Sequence, residues 1–109
     1  MDKRLSRIYM PMSETAFYIL FTLQEENHGY GIGQFVENLT QGDIVISPGT
    51  MYGTLSKMEK DGLIAYQGEE NKRKKYKITQ LGQELLTIEM RRIDRLYHNS
   101  KGEKYHDKN

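Results

Sequence analysis

The sequence predicts a mainly α-helical fold with one small β hairpin. Four segments carry apolar residues at helical spacing behind a capping residue or turn. Between the third and the fourth lie two short alternating segments joined by polar residues. At 109 residues, 37% hydrophobic and 28% charged, the chain is sized for one domain with a single modest core.

Residues 1–12 read as a basic, irregular lead-in ending at Pro11. Ser13 can cap the first helix, with Glu14 well placed for its dipole. That helix reads "ETAFYILFTLQEE" and is expected to stop near Asn27, His28 and Gly29. Phe17, Tyr18, Ile19, Leu20, Phe21 and Leu23 point in nearly every direction around it, so it needs cover on more than one side. The second helix spans roughly Tyr30 to Leu39, with Ile32, Phe35, Val36 and Leu39 forming one expected buried stripe. "HGYGIGQ" lacks the spacing and the preceding strand of a dinucleotide fingerprint, and that reading is set aside.

Gly42 and Asp43 mark a turn, and "IVI" a short extended segment. Ser47 caps the third helix, Pro48 takes its favoured first position, and Asp61 with Gly62 ends it. "LIAYQGEE" and "KKYKIT" read as strands joined through Glu70 to Lys74, with Tyr66, Tyr76 and Ile78 on the half-buried side. Thr79 caps a last helix running to about Asn99. The expected organisation is therefore a lead-in (1–12), a winged helix-turn-helix domain (13–79), a C-terminal dimerisation helix (80–99) and a polar, disordered tail (100–109).

Composition excludes several functions. There is no cysteine, hence no disulfide framework or thiolate metal site. The longest apolar run, "AFYILF", cannot span a bilayer, and "MDKRLSRIYMP" lacks the apolar core of a secretory signal. A cytoplasmic protein with no membrane association is expected. His28, His98 and His106 are scattered, and no nucleophile has a plausible base. Neither an enzyme, a metal site nor a cofactor is expected.

Net charge is only +1, but "KRKKYK" from Lys72 to Lys77 places five positive charges in six residues. Such a run is compatible with phosphate, and equally with a solvated face. The third helix adds to it. On the helical wheel Met51, Leu55 and Met58 share one face, whereas Gly49, Gly53, Ser56, Lys57 and Lys60 share the other. Glycine inside a helix costs about 1 kcal/mol against alanine. Two of them on a face without packing are explained if the helix backbone approaches a polyanion closely. The free amide groups at the helix start favour phosphate too. Insertion of that end into a DNA major groove uses all these features, and the hairpin tip would touch adjacent phosphates. The plainer alternative is a turn at Pro48–Gly49 and a tolerated Gly53.

"HGYGI", "PGTMYGTLSKMEKDGLI" and "KRKKYKITQLG", in this order, resemble the PadR family of bacterial transcriptional regulators over roughly Thr15 to Leu96. Many members carry proline where this chain has Gly53. The resemblance implies a dimeric winged-helix repressor that releases operator DNA on binding a small effector, and two recognition helices about 34 Å apart in such a dimer would read a palindromic site. Carried onto matching positions, it suggests that Tyr30, Ser47, Gly49, Thr50, Tyr52 and Lys57 face double-stranded DNA. Gly53 lies on the same face, and Lys72, Arg73 and Lys74 join from the wing. Tyr30 can equally be a helix-packing residue, and Tyr52 can brace the helix. A winged-helix protein-interaction module without DNA is the other reading.

The last helix shows two apolar stripes: Leu81, Leu85, Ile88 and Leu96, then Leu86, Met90, Ile93 and Tyr97. One domain covers one stripe. The second is expected to pack on a homodimer partner, against Phe17, Tyr18 or Phe21. Phe17, Tyr18, Phe21 and Tyr97 could also line an effector cavity at that interface, although ordinary packing accounts for each more simply.

Overall fold

The computed structural model describes residues 3–106. In chain order the elements are α1 (Lys3–Tyr9), α2 (Glu14–Thr22), β1 (Asn27–His28), α3 (Gly29–Leu39), α4 (Pro48–Lys60), β2 (Ile64–Glu70), β3 (Arg73–Ile78) and α5 (Gln80–Ser100). Five helices and a three-stranded antiparallel sheet in the order β1-β3-β2 give the expected mainly α fold.

The helix starts follow their caps. The hydroxyls of Ser13, Ser47 and Thr79 accept from the amides of Ala16, Thr50 and Gly82. At α3 the cap is His28, whose Nδ1 accepts from the Gly31 amide at 3.0 Å. After α4, Gly62 takes φ +80°. The Leu63 amide then reaches back to the Met58 carbonyl and the Gly62 amide to Glu59, a Schellman ending that turns the chain into β2.

The core gathers Ile19, Leu20 and Leu23 with Ile32, Val36, Met51, Leu55, Met58, Leu63, Tyr76, Leu85 and Leu86. Gly82 packs so closely on the Leu63 carbonyl that a side chain there would collide with it. That approach brings α5 against the start of β2.

Several expectations are corrected. The lead-in is not irregular over its described part, residues 3–12: α1 is a helix, and Leu5, Tyr9 and Met12 are buried in the core, while residues 1–2 lie outside the described residues. Lys3, Arg4 and Arg7, set around one i, i+4 apolar pair, hid a seven-residue helix. The next helix ends at Thr22, not near Asn27. Asn27 and His28 instead pair with Tyr76 and Lys75, a strand too short to show alternation. In α3 only Ile32 and Val36 of the expected stripe are buried, while Phe35 and Leu39 are exposed. "IVI", read as a short extended segment, pairs with no strand, and its Val45 stands 67% exposed, which was not an expectation of the sequence. Tyr66 is exposed rather than half buried.

The wing loop is also shorter than expected. Glu70 pairs with Arg73 and Glu69 with Lys74, leaving Asn71 and Lys72 as a two-residue turn at φ 54° and 64°, the mirror-type hairpin geometry. At the other end, α5 runs through Ser100. The expected disordered tail has defined structure as far as His106: the Glu103 amide bonds back to the His98 carbonyl, and Asn99 to the Glu103 carbonyl. Residues 107–109 lie outside the described residues.

The inward face of α5 is Gly82, Leu85, Leu86 and Glu89. Leu86, expected on a partner-facing stripe, is fully buried in the chain's own core. Neither Gly82 nor Glu89 registers as apolar, so one inward arc looked like two stripes on its flanks. Glu89 is 1% exposed and satisfied by a two-pronged pair with Arg92 at 2.7 and 2.6 Å. Beyond Glu89 no described residue of α5 is buried.

Candidate nucleic-acid interface

Helix α4 sets Met51, Leu55 and Met58 into the core and turns its other side outward. Gly49 and Gly53 are exposed, and a Cβ at either would meet no atom within 4 Å. Packing inside the chain therefore does not require these glycines. Ser47 and Thr50 are exposed beside them, with the Ser47 hydroxyl 3.0 Å from Thr50 Oγ1.

Two tyrosines flank the start of α4. Tyr52 is 57% exposed, and its ring lies along Gly29, where a Cβ would come 2.8 Å from Cε1. Gly29 is thus what allows the ring to brace α3, while much of Tyr52 stays open. Tyr30 is 52% exposed and not a core residue. Its hydroxyl accepts from Gln34 Nε2, and the Arg73 guanidinium sits 4.6 Å over its ring. This cation–π interaction ties the wing to the start of α3, so Arg73, Tyr30, Tyr52 and the α4 N-terminus form one continuous surface. Between α3 and α4 lies a cleft of about 350 Å³ whose lining includes Gly33, Val45 and Pro48.

The wing charges are graded by their surroundings. Lys72 occupies the turn, exposed. Lys74 stands across from Glu69 and Arg73 across from Glu70, so the acidic pair stands beside the cations on the same ladder. Lys75 bonds Glu26 at 3.0 Å, and that bond raises the lysine's pKa.

Lys57 belongs to a different cluster. Its ammonium lies 3.1 Å from Asp61 Oδ2 and 4.6 Å over the Tyr9 ring. The Tyr9 hydroxyl donates to the same Asp61 oxygen at 2.8 Å. That bond is the main cause holding the Asp61 carboxyl below the usual range, against its partial burial and with help from Lys57 and Arg4. Burial, with Asp61 beside it, pushes the Tyr9 hydroxyl well above its ordinary value. Sequence reading missed Tyr9 and Asp61 because the bond joins residues 52 apart. It also missed His28 as a cap.

Of the residues expected at a dimer interface, Phe17, Tyr18 and Met90 are partly buried against the chain's own core. Phe21 stacks between Phe17 and Phe35, at 6.0 and 6.5 Å. Ile93 and Tyr97 are exposed. Among the described residues no group of three potential ligands could hold a metal. No described helix is long and apolar enough to cross a membrane.

Residues 19–88 match the model of the Transcriptional regulator PadR-like family. Transcriptional regulator YqjI of Escherichia coli (strain K12) is 36% identical over 63 residues, which cover 58% of this chain and 30% of that protein. The chain thus matches under a third of that relative's length. Among solved structures, a transcriptional regulator from Clostridium thermocellum aligns with a TM-score of 0.67 and 27% identity, over 91% of this chain and 95% of that one. Bacillus subtilis PadR in complex with operator DNA aligns with a TM-score of 0.60 and 26% identity, over 71% and 46%.

Proposed function

Because the chain belongs to the PadR-like family of transcriptional regulators, we propose that it binds a palindromic operator as a homodimer and represses transcription from it. The observation that carries this reading is the open glycine face of α4. A helix end of positive dipole, flanked by the exposed Ser47, Thr50 and Tyr52, suits the edge of a major groove. Gly49 and Gly53 remove the side chains that would hold the groove away.

Tyr30, Lys72, Arg73 and Lys74 serve the phosphates beside the groove, where such interactions position rather than specify. Residues 13–79 then form the DNA-binding unit, and α5 beyond Glu89 joins two copies. Two such units about 34 Å apart read successive major-groove turns. A dimer also offers a place for a small effector, near Phe17, Tyr18, Phe21 and Tyr97. The protein works in the cytoplasm, beside the chromosome, and carries no catalytic centre.

Selection of bound fragments from the host genome, followed by binding to labelled duplex at graded salt, tests the reading. An inverted repeat with affinity falling steeply as salt rises is expected. No duplex binding at low salt would leave the winged-helix protein-interaction reading instead.

Arg73 supplies the first quantitative check. Arg73→Ala is expected to flatten the log affinity against log salt plot by about 0.9 for each phosphate no longer neutralised, hence by about 1.8 for a dimer. Fluorescence anisotropy across a salt series measures this. An unchanged slope removes Arg73 from the interface.

A further inference from the structure

At the C-terminal end of α4, three donors converge on one carboxylate. Asp61 Oδ2 receives the Tyr9 hydroxyl at 2.8 Å and the Lys57 ammonium at 3.1 Å, while Arg4 Nη1 lies 3.7 Å from Oδ1. The two cationic side chains are 54% and 59% exposed; that of Asp61 is only 12% exposed. Lys57 lies on the same side of α4 as Gly49 and Gly53, since positions 49, 53 and 57 fall within about 80° of one another on the wheel. A cation on the open face is therefore committed to an anion of the protein itself.

We propose that Asp61 is a specificity-determining residue, because its carboxylate occupies the place among these donors that a DNA phosphate would otherwise take. Sequence-independent binding depends on the number of cations free to neutralise phosphates. Specificity is the ratio of operator to non-specific affinity. By retaining Lys57, Asp61 lowers attraction to arbitrary DNA and leaves recognition to the N-terminal end of α4 and the wing. Burial of Leu5 and Tyr9 keeps α1 seated, so the Tyr9 hydroxyl holds the carboxylate in position.

This inference rests on the DNA-binding reading above, and the test separates the two. The probe is a duplex of random sequence, with binding followed by anisotropy across a salt series. Asp61→Asn keeps the shape, the acceptor for Tyr9 and a good helix ending, but removes the charge. It is expected to bind random duplex more tightly, with a salt slope steeper by about 0.9 per subunit as Lys57 is released. Adding Lys57→Gln to that variant takes back the Lys57 share of the increase, about 0.9 per subunit. Lys57→Gln alone leaves the slope unchanged. A slope for Asp61→Asn that is unchanged or shallower overturns the proposal, as does a clear flattening by Lys57→Gln alone. If the unaltered chain shows no salt-dependent duplex binding, the DNA-binding reading itself fails.

Discussion

Gly53→Glu is expected to weaken duplex binding severely while leaving the fold at least as stable as before. The two effects have opposite signs because they arise on opposite sides of one helix. Inside the chain nothing lies within 4 Å of a Cβ at this position, so a side chain displaces no neighbour. Replacing a mid-helix glycine relieves about 0.5–1 kcal/mol of conformational cost. Toward DNA, the new side chain fills the space the groove edge needs and adds a negative charge on the approach. Disrupting one well-placed groove interaction costs about 1–3 kcal/mol, about 5- to 150-fold in affinity, and repulsion adds to it. Gly53→Ala separates the components, with the same gain in stability and a smaller weakening of binding. Thermal melts by circular dichroism and anisotropy at fixed salt measure both. A lower melting temperature together with intact binding would show that Gly53 serves the fold and not a ligand.

The sequence made this face legible because its signals are local. Ser47, Pro48, Gly49 and Gly53 declare a capped helix with one bare side, and Thr79 declares the start of α5. The hairpin was equally legible from Tyr66, Tyr76 and the polar stretch between the strands. What stayed hidden depends on partners distant in sequence or on residues that do not look apolar. β1 exists because Asn27 and His28 find Tyr76 and Lys75, and two residues carry no period. α1 is fixed by Leu5 and Tyr9 meeting the core, and its exposed charges masked that pair. Lys57 looks like a free cation on the wheel, and only the fold brings Tyr9 and Asp61 to it. For Arg73, the sequence supplied the charge but not the Tyr30 ring beneath it.

The corrected reading of α5 leads to a pair of substitutions whose effects should not resemble each other. Leu86 is fully buried, so Leu86→Ala should cost about 2–5 kcal/mol of stability in each chain and lower the melting temperature by roughly ten degrees or more. Surviving folded protein should keep its assembly state. Ile93, Leu96 and Tyr97 are 40%, 47% and 60% exposed along the stretch of α5 beyond its last buried residue, Glu89. Burying each of them against a second copy is worth up to about 1.5–3 kcal/mol, and a charge placed among them must be desolvated without a partner. Ile93→Asp should therefore yield a folded monomer at micromolar concentration by light scattering. It should also lose tight operator binding, because two half-sites are no longer held at a fixed spacing. A dimer that survives Ile93→Asp, or one that dissociates on Leu86→Ala without loss of stability, would place the junction between copies elsewhere on the molecule.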